Sequence, residues 1–418
     1  MTTVAGAGGR SRFLPLLAGV LLLGIADSMI GPYLVLFGAD EARLSPFQVG
    51  VFLSLVAISG LAVSTWLGRR YDRSASRWPA FVAVAAPAAG YLALTTTTDY
   101  ALLALIGVGL LGAGMAAFPQ LFTLARTHLD RSGDDAAGRR TPALRSVWSL
   151  AWAIGPLVGA AVLAWRGYDA LMALTAAAFA LVALPLVALG PTPAPVRAAP
   201  PAAGRERLNR SMLLIAGSFT LFHTAMLAGS VALPLYVTRT LARPDSDVGL
   251  LFSICAVVEI PAALSVMLLP ARVAKRGVIL LGMLLFTAYF VLVAISSGMP
   301  LLIATQVARG VALAVVGALG ITYVQDLLPH ATGRATTMYA NTLTIGSLIS
   351  GVLAGATAQA LGYRSALLLC GALAAGGCAL FAAARISGPG AARPAGTIRP
   401  RGGSGVPDPA GPPARRAR

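Results

Sequence analysis

Charge is scarce in this chain of 418 residues: only 11% are Asp, Glu, Lys or Arg, and just 15 of those are acidic. A soluble domain carries about 25% charged residues, so a fold of this composition cannot cover a water-facing surface. Cysteine is scarcer still. Cys255, Cys370 and Cys378 each sit inside an apolar run, which predicts neither a structural disulfide nor a metal site. There is no nucleotide-binding glycine loop, no metal-ligand spacing and no nucleophile constellation, so no cofactor and no enzymatic activity are expected. What charge there is leans one way, with 32 Lys and Arg giving a net +17. Nucleic acid is the obvious partner for such a balance. The basic residues, however, sit in short clusters between apolar runs rather than along one polar face, which excludes it.

Hydrophobic residues are abundant, at 57%, and the mean hydropathy is +0.78. A spanning helix needs roughly 20 apolar residues to cross ~30 Å of hydrocarbon. Twelve runs meet that length: 13–37, 47–68, 79–97, 100–125, 144–164, 168–189, 211–238, 248–270, 277–296, 299–323, 335–359 and 363–385. The first is too long for a signal peptide and contains Asp27 and Pro32, so it counts as a span. Twelve such runs cannot all be buried in one soluble core, and spanning strands would alternate in polarity. The sequence therefore predicts an all-α polytopic membrane protein.

Basic residues set its orientation. With the N-terminus inside, 26 Lys and Arg fall in the even-numbered loops and the tails, against 5 in the odd loops. This split predicts an inner (cytoplasmic) membrane protein with both termini in the cytoplasm, and it accounts for the net charge. Residues 1–12 read as an N-terminal tail, 13–189 as a six-helix bundle, and 190–210, rich in Pro, Ala and Arg, as a cytoplasmic linker. Residues 211–386 form the second bundle, and 387–418 have almost nothing to bury and read as a disordered tail. Weak internal similarity supports the division. Val49-Gly50 and Ser54 match Val248-Gly249 and Ser253. Gly31-Pro32 and Tyr33 loosely echo Pro234 and Tyr236. Parallel repeats of this kind place a substrate site near mid-membrane, between the halves.

Twelve spans split six and six resemble the major facilitator superfamily, and so does the loop Gly68-Arg69-Arg70-Tyr71-Asp72-Arg73 through Arg77, although Ala75 stands where that family's loop has a glycine. The runs PQLFTLAR (119–126), RSVWSLAWAIGP (145–156), VVEIPA (257–262) and QDLLP with ATT (325–337) are similar to bacterial sugar efflux transporters. The resemblance implies two pseudo-symmetric six-helix bundles that export a small sugar or glycoside by alternating access, against an entering proton. It also implies a cytoplasmic latch at Asp72 with Arg69, Arg70 and Arg73, where a topology-setting basic turn would account for the arginines alone. Gly155-Pro156 and Gly159 look like the tail of an exporter motif, though a generic proline kink reads the same way. The fourth span lacks an arginine that many proton-coupled members carry.

An ionisable group inside the bilayer costs at least about 2.5–3.5 kcal/mol on insertion scales, so such residues are functional candidates. Glu259 is the first choice, because a carboxyl group there can be neutral in one conformation and ionised in another, and can also accept from sugar hydroxyls. Its structural alternative is a fixed strut to Arg309. Asp27 and His223 are the other proton-coupling candidates; a lone membrane histidine equally serves as an interhelical hydrogen-bonding residue. Arg309 would bind substrate, neutralise a carboxylate or anchor an anion. Gln120, Trp152, Gln306 and Asn341 suit a saccharide, whose hydroxyls take planar amides and whose ring takes an aromatic face; interhelical glue is the alternative for each. Arg145 lies at the cytoplasmic end of the polar face shared by Ser149, Trp152 and Pro156, and joins the gating set with Gly155. Loops 38–46 and 239–247 show no chemistry. Substrate, protons and the lipid bilayer are the expected partners of a monomer. A drug or secondary-metabolite exporter, or a receptor on a transporter fold, would share most of these features.

Overall fold

Backbone N–H and C=O groups in lipid find no water, so each apolar run must close its own hydrogen bonds as a helix. The computed structural model describes residues 7–74, 76–130, 134–190, 210–270, 272–329 and 331–384, and every regular element among them is helical. The first half holds α1 (Ala7–Asp40), α2 (Pro46–Ser74) and α3 (Trp78–Leu94). Its fourth crossing is composite: α4 (Tyr100–Ile106), a π-helical turn at Gly107–Leu111, α5 (Gly112–Gly114) and α6 (Ala117–Asp130). α7 (Asp134–Leu181) and α8 (Ala183–Ala188) complete it. The second half holds α9 (Arg210–Leu235), which ends in a π turn at Tyr236–Thr240, then α10 (Asp245–Met267), α11 (Lys275–Ile295), α12 (Met299–Leu327), α13 (Thr332–Leu361) and α14 (Tyr363–Ala383).

Ten helices among the described residues are long and apolar enough to cross a membrane. One of these, Ala143–Ala188, has 46 residues, more than twice what a crossing needs. It breaks at Gly167, whose φ of 78° and ψ of −173° are non-helical and lie outside the reach of most L side chains. Counted as two crossings, and with the 17-residue α3 added, the tally reaches the twelve read from the sequence. In the fourth crossing Gly107 lies against Phe52 and Val56, and Gly112 against Ser59, while nothing lies near the Cβ position of Gly109. The expected linker, but for residues 190 and 210, and the whole expected C-terminal tail lie outside the described residues, and α1 begins inside the expected N-terminal tail.

Successive crossings put the loops alternately on two rims. The terminal rim carries the loops near residues 76, 190 and 272; the distal rim carries 41–45, Gly167, 241–244 and Gly362. The halves repeat one another in detail. The non-glycine residues with positive φ among the described residues are Arg43 (53°) and Ala242 (51°), 199 positions apart. At the same spacing, Arg77 donates to the carbonyls of Leu186 (2.9 Å) and Val187 (3.3 Å), and Arg276 to those of Phe381 and Ala382 (both 2.9 Å). In each case a guanidinium satisfies the open carbonyls at a helix C-terminus, where the partial charge is negative.

The halves meet where α2 packs on α13 and where α10 packs on α7. The matched glycines are the crossing points. A methyl group on Gly50 would strike the carbonyl of Gly351, and one on Gly249 would strike the Tyr33 hydroxyl and the Pro156 carbonyl. Ser54 Oγ accepts from the Val352 amide at 3.1 Å, while its counterpart Ser253 is buried without a protein partner. The direct hydrogen bonds and ion pairs joining the halves among the described residues lie within roughly 15 Å of the distal rim, at ~1.5 Å per helical residue.

Candidate functional site

Three of the candidate residues share a level. Counting ~1.5 Å per residue from the distal ends of their helices, Asp27, Glu259 and Trp152 each lie roughly 20 Å deep, near mid-membrane. Asp27 and Glu259 are both exposed. A carboxyl group facing hydrocarbon at that depth is costly. Neighbouring Gly31 is exposed as well, with no atom near the position its Cβ would take.

Arg309 is only 5% exposed. Nη2 donates to Ser230 Oγ at 3.0 Å and Nη1 to Gln306 Oε1 at 3.3 Å, while the guanidinium lies 4.7 Å from the Phe252 ring centre and 5.9 Å from that of Tyr289. Hydroxyl, amide and two ring faces together compensate a buried cation that no carboxylate touches. No ion pair joins Glu259 to Arg309 among the described residues. Gln306 is fully buried one turn before Arg309, with its amide nitrogen on the Leu302 carbonyl and Thr305 Oγ1. Its Oε1 accepts from Arg309 from that buried position.

In the first half Trp152 belongs to an aromatic group that reaches further from the distal rim. Phe118 packs edge-on to Trp148 (4.5 Å) and against Phe122 (4.3 Å), and Trp148 lies 6.4 Å from Trp152. Trp152 Nε1 and Gln120 Oε1 are buried with no protein partner, one a donor and the other an acceptor. Asn341 is exposed on α13, with Thr337 exposed one turn earlier. His223 is elsewhere in role: Nδ1 lies 2.9 Å from Thr342 Oγ1, whose own proton goes to the Tyr339 carbonyl at 2.7 Å. Nδ1 must therefore donate, which makes His223 a link between α9 and α13 amid Phe219, Phe222 and Tyr339.

The expected gating residues separate. Arg69, Asp72, Arg73 and Arg145 are all exposed at the terminal rim, and no ion pair joins them among the described residues. Gly155 and Gly159 pack α7 onto α1, where a Cβ would meet Ser28 and the Met29 carbonyl. The helix runs on through Pro156, whose carbonyl accepts from Tyr33 at 2.9 Å and touches Gly249 of the other half.

The loops that showed no chemistry in the sequence hold the most polar contact between the halves. Asp40 forms an ion pair with Arg239, which also donates to the Ala39 carbonyl at 3.3 Å. Tyr168 Oη is 2.9 Å from Asp40 Oδ2 and 3.4 Å from Asp245 Oδ2. Its single proton serves one carboxylate at a time, so it bridges the halves by sharing. Arg243 holds Asp247 at 2.8 Å beside them. Asp40, Tyr168, Arg239 and Asp245 come from four different helix ends, and only the 199-residue spacing of Asp40 and Arg239 would have paired any of them from sequence.

Two halves that repeat, pack by glycine crossings towards one rim and carry ionisable groups at mid-membrane depth describe the major facilitator fold of membrane transporters. The Major Facilitator Superfamily model matches residues 213–413. A solved structure of a variant of the nucleoside transporter NupG superposes with a TM-score of 0.78 at 15% identity, over 90% of this chain and 100% of that one. A Deinococcus radiodurans protein whose name places it among sugar efflux transporters is 41% identical over 89% of this chain and 98% of its own. Sugar efflux transporter A of Dickeya chrysanthemi is 32% identical over 85% of this chain and 91% of its own. The chain belongs to the sugar efflux transporter family of this superfamily.

Proposed function

We propose that the protein exports small sugars or glycosides from the cytoplasm by alternating access, in exchange for protons. The observation that carries the reading is the 41% identity to a sugar efflux relative over nearly its full length, joined to two exposed carboxyl groups at mid-membrane depth. In this reading the terminal rim is cytoplasmic, as the arginine distribution favours. The conformation is then open to the cytoplasm and shut by the distal cluster.

The sugar sits between Trp148, Trp152 and Phe118 on one side and Arg309, Glu259 and Asn341 on the other. A pyranose presents apolar C–H faces to the rings and hydroxyls to the polar groups. Trp152 Nε1 and Gln120 Oε1 supply one further donor and acceptor. Glu259 and Asp27 take up protons when the cleft faces outward and release them when it faces the cytoplasm. The test is efflux from proteoliposomes of labelled disaccharides and alkyl glucosides, with and without a pH gradient. Gradient-dependent flux of a saccharide supports the reading. Flux of cationic or lipophilic drugs with none of any sugar overturns it in favour of a drug exporter.

A further inference from the structure

At the terminal rim the two halves differ in one respect. In the first half Trp66 of α2 and Trp78 of α3 meet edge-to-face at 5.5 Å, closing the groove between those helices. The residues 199 positions on are Ser265 and Gly277, which put no ring between α10 and α11 where both pack on α12. The result is a groove of about 620 Å³, within the ~300–1,000 Å³ of small-molecule sites. Its walls are apolar (Val266, Leu269, Val273 and Leu319), and its mouth carries Lys275 and Arg276.

We propose that this groove holds an anionic phospholipid, its phosphate on Lys275 and an acyl chain along the apolar wall. Depth supports the assignment: the groove lies at the end of α10, the start of α11 and the end of α12, the level at which headgroups lie. Charge supports it too. Arg276 is fixed by the Phe381 and Ala382 carbonyls, with Tyr323 Oη at 3.4 Å, and gives a standing positive charge. Lys275 pairs with Asp326 at 2.6 Å, but both side chains are exposed, at 41% and 59%, and a pair so hydrated exchanges partners readily. Arg272 is exposed on the adjoining loop. The first turn of α11 has no side-chain cap, which adds partial positive charge at the mouth. Against these stands Asp326 alone. Basic pockets between membrane helices recognise anionic headgroups on this basis.

Native mass spectrometry of the full chain, titrated with phosphatidylglycerol, phosphatidylcholine or inorganic phosphate, tests it. Phosphatidylglycerol should be retained about fivefold over phosphatidylcholine, and Lys275→Ala should remove most of that excess. Asp326→Ala should raise it. The double variant Ser265→Trp with Gly277→Trp, which copies the first half's pair, should abolish it; both positions have room, since Ser265 is exposed and nothing lies near the Gly277 Cβ position. Equal retention of the two lipids overturns the proposal, as does an excess that survives both Lys275→Ala and the double tryptophan variant. Binding of inorganic phosphate to Lys275 without lipid preference overturns it in favour of a free-anion site.

Discussion

Asp40 and Arg239 stand 199 residues apart at equivalent positions of the two halves, and they pair with each other across the pseudo-twofold axis. A duplicated loop would put like residues at these positions and repel. Opposite charges turn the same symmetry into a closure. The pair is partly hydrated, with exposures of 47% and 25%, so alone it contributes about 0.2–1 kcal/mol. Tyr168 widens it to Asp245.

Reversing one member of the pair should open the distal rim, and exchanging both should close it again. In a Gly31→Cys background, Asp40→Arg or Arg239→Asp should raise labelling by an impermeant maleimide from the distal side by up to about fivefold. The exchange Asp40→Arg with Arg239→Asp should return labelling towards the parent. Equal labelling in all four proteins would show that the pair does not hold the rim.

Steric closure lies deeper than charge. Gly50→Ala or Gly249→Ala places a methyl group on a backbone carbonyl of the opposite half, which cannot retreat as a side chain can. Each variant should express and fold, disfavour the state closed at the distal rim, and cut transport to below about a tenth. The loss is expected to exceed that of Asp40→Arg, because removing a van der Waals overlap requires moving a whole helix. Turnover in proteoliposomes, with the same cysteine labelling, decides between them.

Much of this was legible in the sequence. Twelve apolar runs fixed the crossings because hydrocarbon permits little except helices, and Gly50 and Gly249 were already visible as a repeated motif. Glu259, Asp27 and Arg309 stood out because charge in lipid is rare. The distal cluster was hidden: Asp40, Tyr168, Arg239 and Asp245 lie at helix ends, where charge is ordinary, and only folding brings them together. For Gln306 and His223 polarity in a span suits either a site or an interhelical bond. Both are buried, Gln306 beside Arg309 and His223 against Thr342 of α13.

Gln306 offers a test of orientation as distinct from contact. Gln306→Leu keeps the volume near α12 but removes the oxygen that accepts from Arg309 Nη1. A hydrogen bond to a charged group lost in a buried setting costs roughly 1–3 kcal/mol. The KM for sugar should therefore rise about tenfold while the maximal rate changes little. Gln306→Glu should restore a low KM, since a carboxylate accepts from the guanidinium equally well. Unchanged KM in the leucine variant would leave Arg309 without a need for this partner.

Coupling and binding separate at Glu259. A glutamine there keeps shape and hydrogen-bonding capacity but cannot exchange a proton. If Glu259 carries the proton, Glu259→Gln should abolish uphill flux driven by a pH gradient yet leave sugar-for-sugar counterflow within about threefold of the parent, because counterflow requires only that the loaded carrier reorient. Asp27→Asn divides the possibilities further. Should Asp27 share the proton, its variant loses uphill flux too; should it only hydrate the cleft, uphill flux persists and KM alone moves. A pair of variants that both retain gradient-driven accumulation would sever the link between the mid-membrane carboxyls and energy coupling. The binding surface of Trp152 and Arg309 would then remain in place, serving a facilitated carrier rather than a pump.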